Sequence, residues 1–192
     1  MSPTDDPGAL THLDAKLDQV LVGGREPATL RVVEYDPAWP ARFEAERERL
    51  RAALGERARR IDHIGSTAVP GLAAKPIVDI LVEIDRFEED AGYCESLQAA
   101  GYELRVQETN HRMFRTPARD VHVHIWPAGS EDVARHLVFR DWLRCHPEDR
   151  RLYERTKREL AARPWPDMNY YAEAKGPVIG EILARARSSA EG

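Results

Sequence analysis

The sequence predicts an α+β (mixed α/β) domain, a mixed sheet flanked by helices with a helical C-terminal part, on three observations. A short strand-like segment, 58–64, and the most apolar run of the chain, 77–84, are separated by a glycine-punctuated turn, as two strands joined by a loop are. Three later segments, 102–107, 111–116 and 121–126, have the pattern of antiparallel strands, with 117–120 as a tight connection. Apolar residues at helical spacing precede, separate and follow these strands, which is the arrangement of a layered mixed sheet.

Taken in order, residues 1–29 combine Pro3, Pro7 and Gly8 with a short weak helix from Leu10 to Leu21 and then break at Gly23, Gly24 and Pro27. They are expected to form a flexible arm rather than a core element. Residues 30–35 are predicted as a strand, followed by Asp36 as a helix N-cap and Pro37 at the first helical position. That helix should run to about Leu54, with Trp39, Phe43, Leu50 and Leu54 on one face. A helix over 87–100 carries Phe87, Ala91, Cys94 and Leu97 at helical spacing and closes at Gly101.

The helix expected at 131–145 is apolar on more than one face and should be buried. Pro147 opens the next, with Leu152, Tyr153, Thr156 and Leu160 as its stripe and Pro164 and Pro166 at its end. The last helix, interrupted at Gly176-Pro177, aligns Tyr171, Ala174, Val178 and Ile182. One domain over 30–187, helical from 130, with a tail at 188–192, is the predicted organisation.

The chain has 192 residues and a formal net charge of -5, so no overall positive field draws in a polyanion. A nucleic-acid partner has no strong signal. The charged runs 44–51 and 148–159 alternate in sign and read as solvated helix faces. The two cysteines, Cys94 and Cys145, support neither a disulfide framework nor a zinc ribbon. Without an apolar run of about 18 residues or the pattern of a signal peptide, the expected setting is the cytoplasm, with no membrane partner. The oligomeric state is left open.

The chemistry concentrates in 63–79, HIGSTAVPGLAAKPIVD. Gly65, Ser66 and Thr67 form a turn that could present N–H and hydroxyl donors to a phosphate, with Lys75 as counter-charge. The same turn could be simple chain reversal. Asp79 follows inside an apolar strand, where an unpaired carboxylate is costly and is usually paired or metal-bound. Alternation places Asp79, Leu81 and Glu83 on one face and Val78, Ile80, Val82 and Ile84 on the other. A strand-end aspartate accepting backbone hydrogen bonds is the bland reading beside it.

The segment His63 to Ile80 looks like the hallmark of the GrpB family, also called UPF0157. The resemblance extends to Tyr35-Asp-Pro-Ala-Trp-Pro, His122-Val-His124, the run from Phe139 to Pro147, and Lys175. That family is placed by fold in the DNA polymerase β-like nucleotidyltransferase superfamily, so the resemblance implies a nucleotidyltransferase-like sheet flanked by helices. It also implies a Gly-Ser turn that holds nucleotide phosphates, and carboxylates on neighbouring strands that bind two Mg²⁺.

The chain departs from that pattern in two places. Leu81 occupies the position of the second carboxylate, and Glu83 lies about 13 Å along the strand from Asp79. His122 and His124 stand where a third carboxylate is expected, and they could ligate a transition metal with Asp79, clamp phosphate when protonated, or be hydrogen-bonded residues of the cleft. His63, His111, Arg112 and Glu83 are further candidates for the same cleft.

Three functions follow as expectations. The first is an enzyme that uses ATP or another nucleoside triphosphate, with a divalent metal (magnesium or a transition metal), to modify a small-molecule acceptor. In it Asp79, His122 and His124 are catalytic and metal-ligating, and Gly65, Ser66, Thr67 and Lys75 bind the nucleotide phosphates. The second is a catalytically degenerate nucleotide- or coenzyme-binding module. The third is hydrolase or ligase chemistry at a His/Asp metal site.

Overall fold

The computed structural model describes residues 7–27 and 30–190, and the expected tail at 188–192 lies partly outside them. Among the described residues seven α-helices and five strands follow one another as α1 (Pro7–Val20), α2 (Trp39–Leu54), β1 (Ala58–Ile64), β2 (Val78–Ile84), α3 (Asp90–Ala99), β3 (Glu103–Glu108), β4 (His111–Arg115), β5 (Val121–Pro127), α4 (Glu131–Cys145), α5 (Pro147–Ala161), α6 (Met168–Ala174) and α7 (Gly176–Ala190). The mixed α+β class is the one expected from the sequence.

The strands form one sheet in the order β1-β2-β5-β4-β3. Its central pair, β2 and β5, is parallel, and the other pairs are antiparallel. Period-two alternation gives each strand two faces. On one, Val78, Ile80, Val82 and Ile84 join Val121, Val123 and Ile125 beneath α2 and α3 in the main core. The stripe Trp39, Phe43, Leu50 and Leu54 supplies the helical side of that core. On the other face Leu81 and Trp126 pack with Val133 of α4. Leu17 and Leu21, at the end of α1 and just beyond it, meet Val106 and Tyr170.

Three expected elements differ. Residues 30–35 make no strand: Val33 and Ala74 exchange two backbone hydrogen bonds of 2.9 Å in an isolated bridge. The apolar alternation there reflects Val33 and Tyr35 packing on the core, not a ladder. The first long helix begins at Trp39 with Ala38 as its N-cap residue, and Pro40 takes the early proline position. Asp36 accepts the Ala38 N–H at 2.8 Å, three residues ahead of the first helical residue, so it shapes the entry turn without capping. Finally, α3 starts at Asp90, because Phe87 is buried from the preceding turn. No helix among the described residues is long and apolar enough to cross a membrane.

Candidate metal and phosphate site

The parallel register of β2 and β5 aligns Asp79 with His122 and Leu81 with His124. Alternation turns Asp79, His122 and His124 toward the face opposite α2, where they converge. Asp79 Oδ1 lies 3.5 Å from His122 Nδ1 and 3.8 Å from His124 Nε2. One donor atom from each of the three residues lies within 4.8 Å of the others, a spacing that a divalent ion can draw together.

Burial alone would raise the Asp79 carboxyl, but hydrogen bonding from the imidazole of His122 beside it holds it well below the ordinary carboxylate range. Burial also pushes His124 down to about 4 against the pull of Asp79, so His124 is neutral at physiological pH and keeps a lone pair for a metal.

The turn before β2 is built around that carboxylate. Gly65 has φ 69° and ψ −169°, a region essentially confined to glycine. A Cβ on Gly65 would lie 2.5 Å from Asp79 Oδ2. Gly65→Ala is therefore expected to cost about 1–3 kcal/mol from the backbone alone, and more from displacing Asp79. Urea unfolding beside Gly71→Ala isolates the contact, since Gly71 shares a positive φ (74°) but faces open space. Equal losses in the two variants would show that the Asp79 contact is immaterial.

The other candidates separate. Thr67 is 1% exposed, and its hydroxyl donates to the Ile77 carbonyl at 3.2 Å while accepting from His63 Nε2 at 2.9 Å. It holds the turn together and has no hydrogen left to donate to a phosphate. Ser66 is half-buried and, among the described residues, makes no side-chain hydrogen bond. His63 pairs with Ile80 and stacks on Phe43 of α2 at 4.8 Å, which puts it on the opposite face from Asp79. Arg112 also lies on that far face, over the Phe87 ring and 3.0 Å from Asp90. Glu83 shares the Asp79 face but is engaged by Arg60 at 2.9 Å and the Gly129 N–H at 3.1 Å.

His111 does join the cluster. Its Nε2 lies 3.0 Å from His124 Nδ1, and its ring stacks on Trp126 at 4.8 Å.

Near Asp79 is a group of lysines: Lys75 was singled out from the sequence for phosphate and Lys175 within the family resemblance, while Lys157 was not. Lys75 and Lys175 place their Nζ atoms 5.0 and 4.9 Å from the ring of Tyr171, whose buried hydroxyl has no hydrogen-bond partner. Lys157, 2% exposed, donates to the Ala73 carbonyl and lies 4.9 Å from the Tyr153 ring. Burial first, and then the charge of Lys175, lowers both Lys75 and Lys157 to about 7, with Asp79 pulling Lys75 the other way. Lys75 and Lys175 thus flank the ring of Tyr171 with its orphaned hydroxyl, and Lys157 lies near enough to feel both charges. An anion with several oxygens would relieve both the repulsion and the unmet bond.

His136 on α4, held down to about 4 by burial, lies tilted against Trp126 at 5.0 Å on the histidine side of the cleft. The helix that carries it also anchors the turn. Arg140 donates to the His63 carbonyl at 3.0 Å, and Arg144 donates twice to Ala68, at 3.0 and 2.8 Å.

The family model for the GrpB protein matches residues 29–185. This chain belongs to the GrpB family. It is 48% identical to a UPF0157 protein of Streptomyces coelicolor over 86% of this chain and 89% of that protein. With a UPF0157 protein of Halalkalibacterium halodurans it shares 40% identity, over 96% of this chain and 97% of that one. The crystal structure of conserved protein GrpB from Enterococcus faecalis superposes with a TM-score of 0.71 at 32% identity, covering 84% of this chain and all (100%) of that one. The GrpB segments quoted from the sequence therefore have definite places: 63–79 is the turn around Asp79, 139–147 is the helix that braces it, and Lys175 closes the lysine wall.

Proposed function

We propose that this GrpB chain binds a nucleoside triphosphate with a divalent metal and transfers its nucleotidyl group to a small-molecule acceptor. The observation that carries the reading is the adjacency of Asp79, with its two histidines, to the wall of Lys75, Lys157 and Lys175. Asp79, His122 and His124 would hold the ion, which when bound supplies charge neutralisation at phosphate and activation of an attacking oxygen. Lys75, Lys157 and Lys175 would take the charge of the phosphate tail, and Tyr171 would donate its free hydroxyl to a phosphate oxygen. The acceptor oxygen bonds the α-phosphorus as the bond to pyrophosphate breaks, and the acceptor proton passes to water. Gly65 and Ser66 bring a backbone turn and an uncommitted hydroxyl beside the carboxylate.

A second reading rests on Leu81. It is fully buried against Ile64, Trp126 and Val133, so the position of the second carboxylate is part of the core. That favours a module which binds a nucleotide or coenzyme without turning it over.

One series of measurements separates the two. Binding of each nucleoside triphosphate is followed with and without added divalent ion, and pyrophosphate release is then assayed with hydroxyl and amine acceptors. Metal-dependent binding with release supports transfer. Equal binding without metal, and no release, moves the assignment to the binding module. Folded protein that binds no nucleotide under either condition overturns both.

A further inference from the structure

We propose that Lys16, Glu108 and His111 form a hydrogen-bonded relay that fixes His124 with its proton on Nδ1, so that a bare Nε2 faces Asp79. The site then takes an imidazole-preferring divalent metal, such as zinc or cobalt, over magnesium. The inference deepens the metal reading above and rests on it.

The protons can be assigned from the outer end inward. Glu108 on β3 receives Lys16 of α1 at 3.0 Å and lies 2.9 Å from His111 Nδ1. An ionised carboxylate only accepts, so the proton in that bond sits on His111 Nδ1. In its uncharged form His111 then accepts at Nε2, and the 3.0 Å contact to His124 Nδ1 places the proton on His124. That leaves His124 Nε2 with a lone pair 3.8 Å from Asp79 Oδ1, itself an acceptor. Two facing acceptors, one a carboxylate, repel unless a cation lies between them. An ion about 2.0–2.2 Å from each fits that gap.

Stacking keeps the relay in register. Trp126 lies 4.8 Å from the His111 ring and 5.4 Å from the His124 ring, and the two imidazoles are within 10° of parallel. A half-turn of either ring would keep the stacking but replace the bonded nitrogens with C–H edges, so the hydrogen bonds to Glu108 and between the rings hold the orientation.

The remaining step is metal choice. Metal-bound histidines commonly donate their second N–H to an acceptor that fixes their tautomer. Here the acceptor is a histidine backed by a carboxylate. A donor set of two imidazole nitrogens and one carboxylate suits zinc-like ions, whereas magnesium demands oxygen ligands. Glu108 and His111 are positioning residues, since neither reaches the ion.

The test uses the full chain. Nitrogen-15 NMR of the imidazole rings at about pH 8, above the ordinary histidine range, reads the tautomers directly. His111 and His124 should both carry the proton on Nδ1. A proton on His124 Nε2 overturns the relay whatever the metal does. Cobalt titration followed by its visible absorption then reads the site: Glu108→Ala and His111→Phe should each weaken cobalt binding roughly 10–100-fold. Glu108→Gln, which keeps an acceptor for His111, should recover part of that loss while retaining the fold.

Magnesium in large excess should not displace cobalt, and displacement would overturn the metal preference. Wild-type affinity in both Glu108→Ala and His111→Phe would overturn the relay and leave the metal reading intact. A wild-type chain that takes no cobalt, with the tautomers as assigned, would instead overturn the metal reading above and with it the metal preference, while supporting the relay's proton assignment.

Discussion

Asp79→Asn is expected to weaken divalent-metal binding by more than about 100-fold, beyond the 10–100-fold that disturbing an outer hydrogen-bond partner costs. The metal-free protein should still fold, with a smaller effect on its stability than on metal affinity. Asparagine has the same shape, so the close approach to Gly65 is kept, and its amide can donate where the carboxylate could only accept. The facing lone pairs of Asp79 Oδ1 and His124 Nε2, 3.8 Å apart, would become a donor and an acceptor. Metal titration and urea unfolding of the same variant decide the point. A large loss of stability with metal affinity preserved would show that Asp79 serves the fold through its charge and not a bound ion.

Much of this arrangement was legible in the sequence because it rests on local periodicity. The limits of β1 and α4 coincide with the expected ones, and the two faces of β2 fall where alternation puts them. The same rule, carried one residue further, separates Arg112 from His111: adjacent strand residues face opposite ways, so the two could not share a cleft.

What stayed hidden depends on contacts remote in sequence. The strand expected at 30–35 fails because apolar alternation records packing and cannot distinguish a ladder from a single bridge. Lys157 was masked by its surroundings, since 148–159 reads as an exposed run of alternating charges. Its one local signal is position: it falls a turn after Tyr153 and three residues before Leu160, on the stripe that α5 buries. Nothing local could pair Glu108 with Lys16, because that contact requires α1 to lie along β3.

The lysine wall gives the second large effect. Lys75 and Lys157 titrate near 7 in the folded chain, against an ordinary 10.5. A lysine whose folded value is lowered penalises the folded state when it is charged. The penalty is complete below about pH 7, and stability is recovered as pH rises from 7 toward 10.5, where the unfolded chain still binds protons that the folded one has released.

A bound polyanion acts in the opposite sense. It favours the charged lysines, so pyrophosphate should bind most tightly below about pH 7 and more weakly as pH rises above it. Lys157→Met keeps the length and apolar stem while removing one buried charge. It should weaken pyrophosphate binding by about 10-fold or more near pH 7, the scale of one charge-assisted hydrogen bond, and leave the anion-free protein at least as stable. The ratio of wild-type to variant affinity cancels the ionisation of pyrophosphate itself, and that ratio should shrink between pH 7 and 9 as Lys157 loses its proton. Calorimetric titration of both proteins across this range supplies it. A ratio near one at pH 7, or one that does not change with pH, would remove Lys157 from the phosphate wall and leave it as a buried donor to the Ala73 carbonyl.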